Sequence, residues 1–115
     1  MIKIKRIYDA YDSEDGYRIL IDRLWPRGIK KESANIDLWM KRISPSHELR
    51  KWFNHDPSKW EELLTKYELE LDINKLREIR ILEENYRIIT LLFAAKDKEF
   101  NNANALLTLL QNSGI

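Results

Sequence analysis

Two arginines, an aspartate and a tryptophan stand together in Asp22-Arg23-Leu24-Trp25-Pro26-Arg27-Gly28. Guanidinium groups hold carboxylates or phosphates through paired, charge-assisted hydrogen bonds. A carboxylate beside them can orient a fork or take a proton, and an indole can stack on a flat ligand. A second polar segment, Lys96 to Asn102, offers Lys96 and Asp97 as charges and Asn101 and Asn102 as amides. If Asn101 and Asn102 cap a helix, its free N-terminal amides add partial positive charge. Arg23, Arg27 and Lys96, with those amides, make an anion site for a phosphate or carboxylate. Asp22 is the best candidate for a catalytic group, and Trp25, Asn101 and Asn102 complete the ligand-binding set.

Each of these residues also has a structural role open to it. Arg23 and Arg27 can pair with Asp22, Asp97 or Glu32 and fix the loop. Trp25 reads as a lid over the core before it reads as a stacking platform, and Asn101 and Asn102 as plain helix caps. His47 and His55 are the only histidines, and no carboxylate stands at metal-ligand spacing around them. Ser46 would need a base to act as a nucleophile, and the sequence names none. Glu48 and Arg50 flank a helix start and can point to the site or to water. With three glycines there is no Gly-rich phosphate loop. No metal or cofactor is named by any motif.

The elements that must position these groups follow from apolar periodicity. Ile2, Ile4 and Tyr8 alternate with lysines, giving a strand with one wet face. Tyr17 to Ile21 is a second strand, and the acidic, turn-rich break from Asp9 to Gly16 suits neither a tight hairpin nor a long crossover. Ile36 to Ile43 reads as a short helix with Leu38, Trp39 and Ile43 inward. Ser44 as cap and Pro45 at the first helical position open the next helix, which carries Leu49, Trp52 and Phe53 on one face. Asp56-Pro57 starts a longer helix with Trp60, Leu63, Leu64, Tyr67 and Leu71 on its stripe. A further helix to about Asn85 buries Ile73, Leu76 and Ile79. Arg87 to Ala95 is apolar on both faces, as a central covered strand is. The last helix aligns Ala103, Leu106, Leu107 and Leu110.

These elements indicate one α/β domain over residues 1–115, a small three-layer fold with a mostly parallel sheet of three or four strands flanked by helices. If the strands ending at Ile21 and Ala95 run parallel, the two polar loops emerge at one sheet edge, where open α/β sheets bind ligands. The net charge of +1, from 20 basic and 19 acidic residues, argues against a general nucleic-acid binder. No cysteine is present, so thiol and disulfide chemistry are excluded. No apolar run reaches the roughly 20 residues of a membrane helix. Without a signal-peptide h-region, a cytoplasmic location is expected.

The stretch Asp15 to Gly28, reading DGYRILIDRLWPRG, resembles the signature of the YeaO-like branch of the domain-of-unknown-function family 488 (DUF488). Ser44 to Phe53 is similar to its second block, and Leu91 to Asp97 followed by Asn101-Asn102-Ala103 to its third. The resemblance implies a parallel α/β fold with an aspartate-arginine-proline segment after one strand and a histidine-containing turn opening the last helix. Where the family pattern has Asn-His-Ala, this chain has Asn101-Asn102-Ala103. A binding or positioning role, which Asn102 can partly keep, is then favoured over proton transfer at that position.

Three functions compete. The first is an anionic small molecule held between the two loops, by an enzyme rather than a sensor, since carboxylate and cations converge without a signalling element. The second is a nucleic-acid module with Arg23, Arg27 and Lys96 on phosphates and Trp25 on a base. The third is a protein-interaction module using Trp25 and an exposed Trp52-Phe53 patch. Oligomeric state and ligand identity are not encoded in any pattern.

Overall fold

The computed structural model describes residues 1–115. Four strands, β1 (Ile2–Arg6), β2 (Tyr17–Leu20), β3 (Leu38–Trp39) and β4 (Ile89–Phe93), form one sheet in the order β1-β4-β2-β3. Every pairing is parallel. The Asp9–Gly16 break is resolved by that order: β1 and β2 are not neighbours, because β4 inserts between them. β4 is buried along its whole length, which explains its two-faced apolar run.

Four helices, α1 (His47–Phe53), α2 (Trp60–Glu70), α3 (Ile73–Tyr86) and α4 (Asn102–Asn112), complete the fold. Their buried side chains join Ile19, Ile21, Ile89, Leu91 and Phe93 in one core, so all four helices lie on the same sheet face. The opposite face carries Leu20 and Leu92 with Ile7, covered by Trp25, Ile29, Ile36 and Trp39. The third layer is therefore made of loops and turns rather than helix.

Three local expectations are corrected. The segment from Ile36 to Ile43 is no helix: it supplies β3, held on β2 by Asp37 N–H to Arg18 O at 2.8 Å and Met40 N–H to Leu20 O at 2.9 Å. Leu38 and Met40 enter the large core and Trp39 the small cluster, a period of two that only a strand satisfies. The cap of α1 is Ser46, whose Oγ accepts from Leu49 N–H at 3.1 Å, so Ser44 and Pro45 precede the helix. Ile73 is exposed at the first turn of α3, because the buried stripe begins one turn later at Leu76 and continues to Ile79.

The first family-like block divides into scaffold and site. Arg18, only 2% exposed, donates to the Asp15 carboxylate and to Asn35 O at 2.8 Å. Lys5 Nζ reaches Asp15 at 3.0 Å. Burial works to raise the Asp15 pKa, but the hydrogen bonds from Lys5, the Asp12 backbone and Arg18 outweigh it and hold the group below its ordinary value. Gly16 has φ +65° and no room for a side chain: a Cβ there would sit 2.2 Å from Ile88 O. That close approach holds the start of β2 against the start of β4, where Tyr17 N–H meets Ile88 O at 3.0 Å.

Candidate functional site

Because β2 and β4 pair with Leu20 opposite Leu92, they end at the same level. Their carboxyl ends open on a cavity of about 360 Å³. Asp22, Trp25, Pro26 and Arg27 enter it from the loop after β2, and Phe100, Asn101 and Asn102 from the segment opening α4. A third wall comes from the helical crossover: Arg50 and Phe53 of α1, His55 just beyond it, and Trp60 and Leu63 of α2. Leu24 lies at the rim, 70% exposed.

Asp22 is held at the seam of the two strands. Its Oδ2 accepts from Ala94 N–H at 2.8 Å and its Oδ1 from the Asn102 amide at 3.3 Å. Its own carbonyl accepts from Trp39 Nε1 at 2.7 Å. Burial raises the Asp22 carboxyl above its ordinary value, and the Ala94 and Asn102 hydrogen bonds and the Arg50 charge only partly offset that. Asp22 makes no ion pair within 4 Å; the ion pairs of the fold are elsewhere.

Arg50 is the residue that sequence reasoning weighed and left out. It lines the cavity, its side chain makes no hydrogen bond or ion pair, and its Nε is buried without any partner. A buried donor left unpaired costs about 1–3 kcal/mol, so native structures rarely keep one without a use. Its position three residues before Phe53 puts both on one side of α1, and that spacing was the available signal.

The other candidates separate. Arg27 lines the cavity with its side chain unpaired, while Tyr8 Oη holds its carbonyl at 2.7 Å. Arg23 is turned away, into a different depression with Arg42, Ser44, Tyr67 and Lys75, because side chains alternate along the extended chain leaving β2. Lys96 is exposed and outside the cavity wall. Asn101 caps α4, its Oδ1 accepting from Asn104 N–H at 2.8 Å. Trp25 spends its indole N–H on Ile29 O at 2.6 Å and packs edge-on against Trp39 with ring centres 5.3 Å apart; it covers the small cluster and also lines the cavity. The pairings of Arg23 and Arg27 with Asp22, Asp97 or Glu32 are not formed.

His55 reaches the cavity through a strained turn, with Asn54 at φ 48° and His55 at φ 55°. Asp97, opposite, is held below its ordinary pKa by the Phe100 and Glu99 backbone amides, with a smaller contribution from His55. No group of three or more His, Cys, Asp or Glu side chains gathers in metal-binding geometry. The exposed Trp52-Phe53 patch is not there: Phe53 is buried, and Trp52 lies under Lys59 and Lys66 at 5.0 and 4.8 Å. No helix is long and apolar enough to cross a membrane.

Comparison with known proteins shows the family of the chain. Residues 1–113 match a family model described as the inactive DUF488-N3 subclade. The chain is 40% identical over 112 residues to the uncharacterized protein YeaO of Escherichia coli K12, covering 96% of this chain and 97% of that protein. It is 36% identical over 110 residues to the uncharacterized protein Rv3073c of Mycobacterium tuberculosis H37Rv, covering 95% and 92% respectively. No solved structure matches significantly. With a whole-chain family match and near full-length relatives, the chain belongs to the DUF488 family.

Proposed function

We propose that this protein is a small-molecule-binding domain that holds one anionic group against Arg50, in the cavity where β2 and β4 end, without converting its ligand. The unpaired, partly buried Arg50 guanidinium carries the reading: its Nε is buried without a partner in a largely apolar cavity, and no carboxylate of the protein lies within ion-pair distance. Arg27 at the rim adds a second, more exposed charge. Asn102, through its amide on Asp22 Oδ1, fixes the carboxylate rather than serving the ligand.

Two observations favour binding over catalysis. Asp22 is tethered at both oxygens, by Ala94 N–H and the Asn102 amide, and although each oxygen keeps a lone pair, these contacts make it an anchor of the β2–β4 seam. The description of the matching family model as inactive runs the same way. The nucleic-acid reading has less support, since Arg23 and Arg27 open on different depressions and the Trp25 indole is already packed.

A thermal-shift screen of small carboxylates, phosphates and nucleotides on wild type and Arg50→Met tests it. A ligand at 100 times its dissociation constant adds about 2.7 kcal/mol. The expected result is stabilisation by anions that disappears in Arg50→Met. Equal stabilisation of both proteins would move the anion away from Arg50.

A further inference from the structure

The wall of the cavity carries information about the rest of the ligand. Phe53 and Trp60 meet with ring centres 6.1 Å apart and planes tilted by 58°, and Trp60 and Phe100 at 5.3 Å and 73°. This array from α1, α2 and the α4 approach faces the same space as Trp25 and Tyr8. Tilted aromatic groups offer both edges and faces, which suits a flat aromatic guest in offset or edge-to-face contact. A volume of about 360 Å³ lies near the small end of ligand sites, enough for a one- or two-ring body.

The charge of the guest follows from the donors left over. Phosphate sites gather several free backbone amides; here Ala94 N–H is taken by Asp22 and Asn104 N–H by Asn101, which leaves only the first two amides of α4, those of Asn102 and Ala103. One arginine has its Nε buried and unpaired, and the Asp22 carboxylate sits near it and would repel a dianion. With Arg50 and the more exposed Arg27 as cations and Asp22 as the acid, the site carries about one net positive charge, which fits a monoanionic carboxylate taken bidentately by Arg50.

Resting on the anion-site reading above, we propose that the ligand is a planar aromatic monocarboxylate, with its carboxylate on Arg50 and its ring among Phe53, Trp60 and Phe100. The ring is held by the aromatic wall and the charge by Arg50, so the two halves of the ligand are recognised by separable residues.

Amide-resolved NMR titrations with four probes test this: 1-naphthoate, octanoate, inorganic phosphate and 1-naphthalenemethanol. The expected order places 1-naphthoate roughly tenfold or more ahead of the others. Arg50→Met is expected to weaken 1-naphthoate by roughly 10- to 100-fold, the range of a charged hydrogen-bonded contact, while leaving 1-naphthalenemethanol unchanged. Trp60→Leu, a variant independent of Arg50, is expected to weaken 1-naphthoate but not octanoate. If octanoate or phosphate binds best and depends on Arg50, the aromatic class is overturned while the anion site stands. If no probe perturbs the cavity residues, or none depends on Arg50, both readings fall.

Discussion

Replacing Arg50 by methionine separates a ligand group from a structural one. The Arg50 side chain has no hydrogen bond or ion pair to lose, and its Nε is a buried donor without an acceptor. Relief of that donor returns about 1–3 kcal/mol. Against this stands the attraction between Arg50 and Asp22, which lie beyond ion-pair distance, worth about 1–3 kcal/mol at most in a partly solvated site. The two effects are opposite in sign and similar in size, and Arg50→Met is expected within about 2 kcal/mol of wild type in urea denaturation. Arg18→Met is the control. It leaves the buried Asp15 carboxylate with Lys5 as its one ion-pair partner and Asn35 O without its donor, and is expected to cost more than about 3 kcal/mol. An Arg50→Met loss matching that of Arg18→Met would show that Arg50 holds the fold, and the binding argument built on it would be refuted.

Three further outcomes follow from the same structure. Asp22 has a raised folded pKa, so the folded state binds its proton more tightly than the unfolded chain; stability from this group is full below its ordinary value of 3.8 and lost as pH rises through the folded value. Urea titrations from pH 3.5 to 7 are expected to show that falling component in wild type and its absence in Asp22→Asn. Tyr67→Phe removes the donor to the buried Ile43 carbonyl at 2.5 Å and is expected to cost about 1–3 kcal/mol, read from the same denaturation curves. Gly16→Ala combines a positive φ with a backbone contact at 2.2 Å; it is expected to cost more than the roughly 1 kcal/mol of a left-handed alanine alone, and a loss below that would show the β2–β4 seam to be adjustable.

The strands that make the site were legible because they are the most buried. β4 is apolar on both faces and β2 ends in three aliphatics, so both could be read from composition alone, and their parallel pairing brought the two loops to one edge as expected. β3 was misread because Leu38, Trp39 and Ile43 also fit a helical stripe, and the deciding hydrogen bonds come from β2, some 20 residues away in the chain. At the site, neighbours in sequence part company: Asp22 enters the cavity while Arg23 leaves it, and Lys96 stays on the surface. Arg50 and the aromatic wall were hidden for a different reason. Arg50, Phe53 and Trp60 sit on the crossover between β3 and β4 and Phe100 on the approach to α4, and no periodicity says how three helices fold back over a sheet end.

The most direct measurement is the Arg50 Nε–Hε resonance in a proton–nitrogen correlation spectrum during titration with 1-naphthoate. Binding as described predicts a downfield shift and slowed solvent exchange at Arg50 Hε, with smaller changes at Arg27 and none at Arg23. A titration that saturates while Arg50 Hε stays unmoved, or that shifts Arg23 instead, would contradict the assignment of the anion to this cavity.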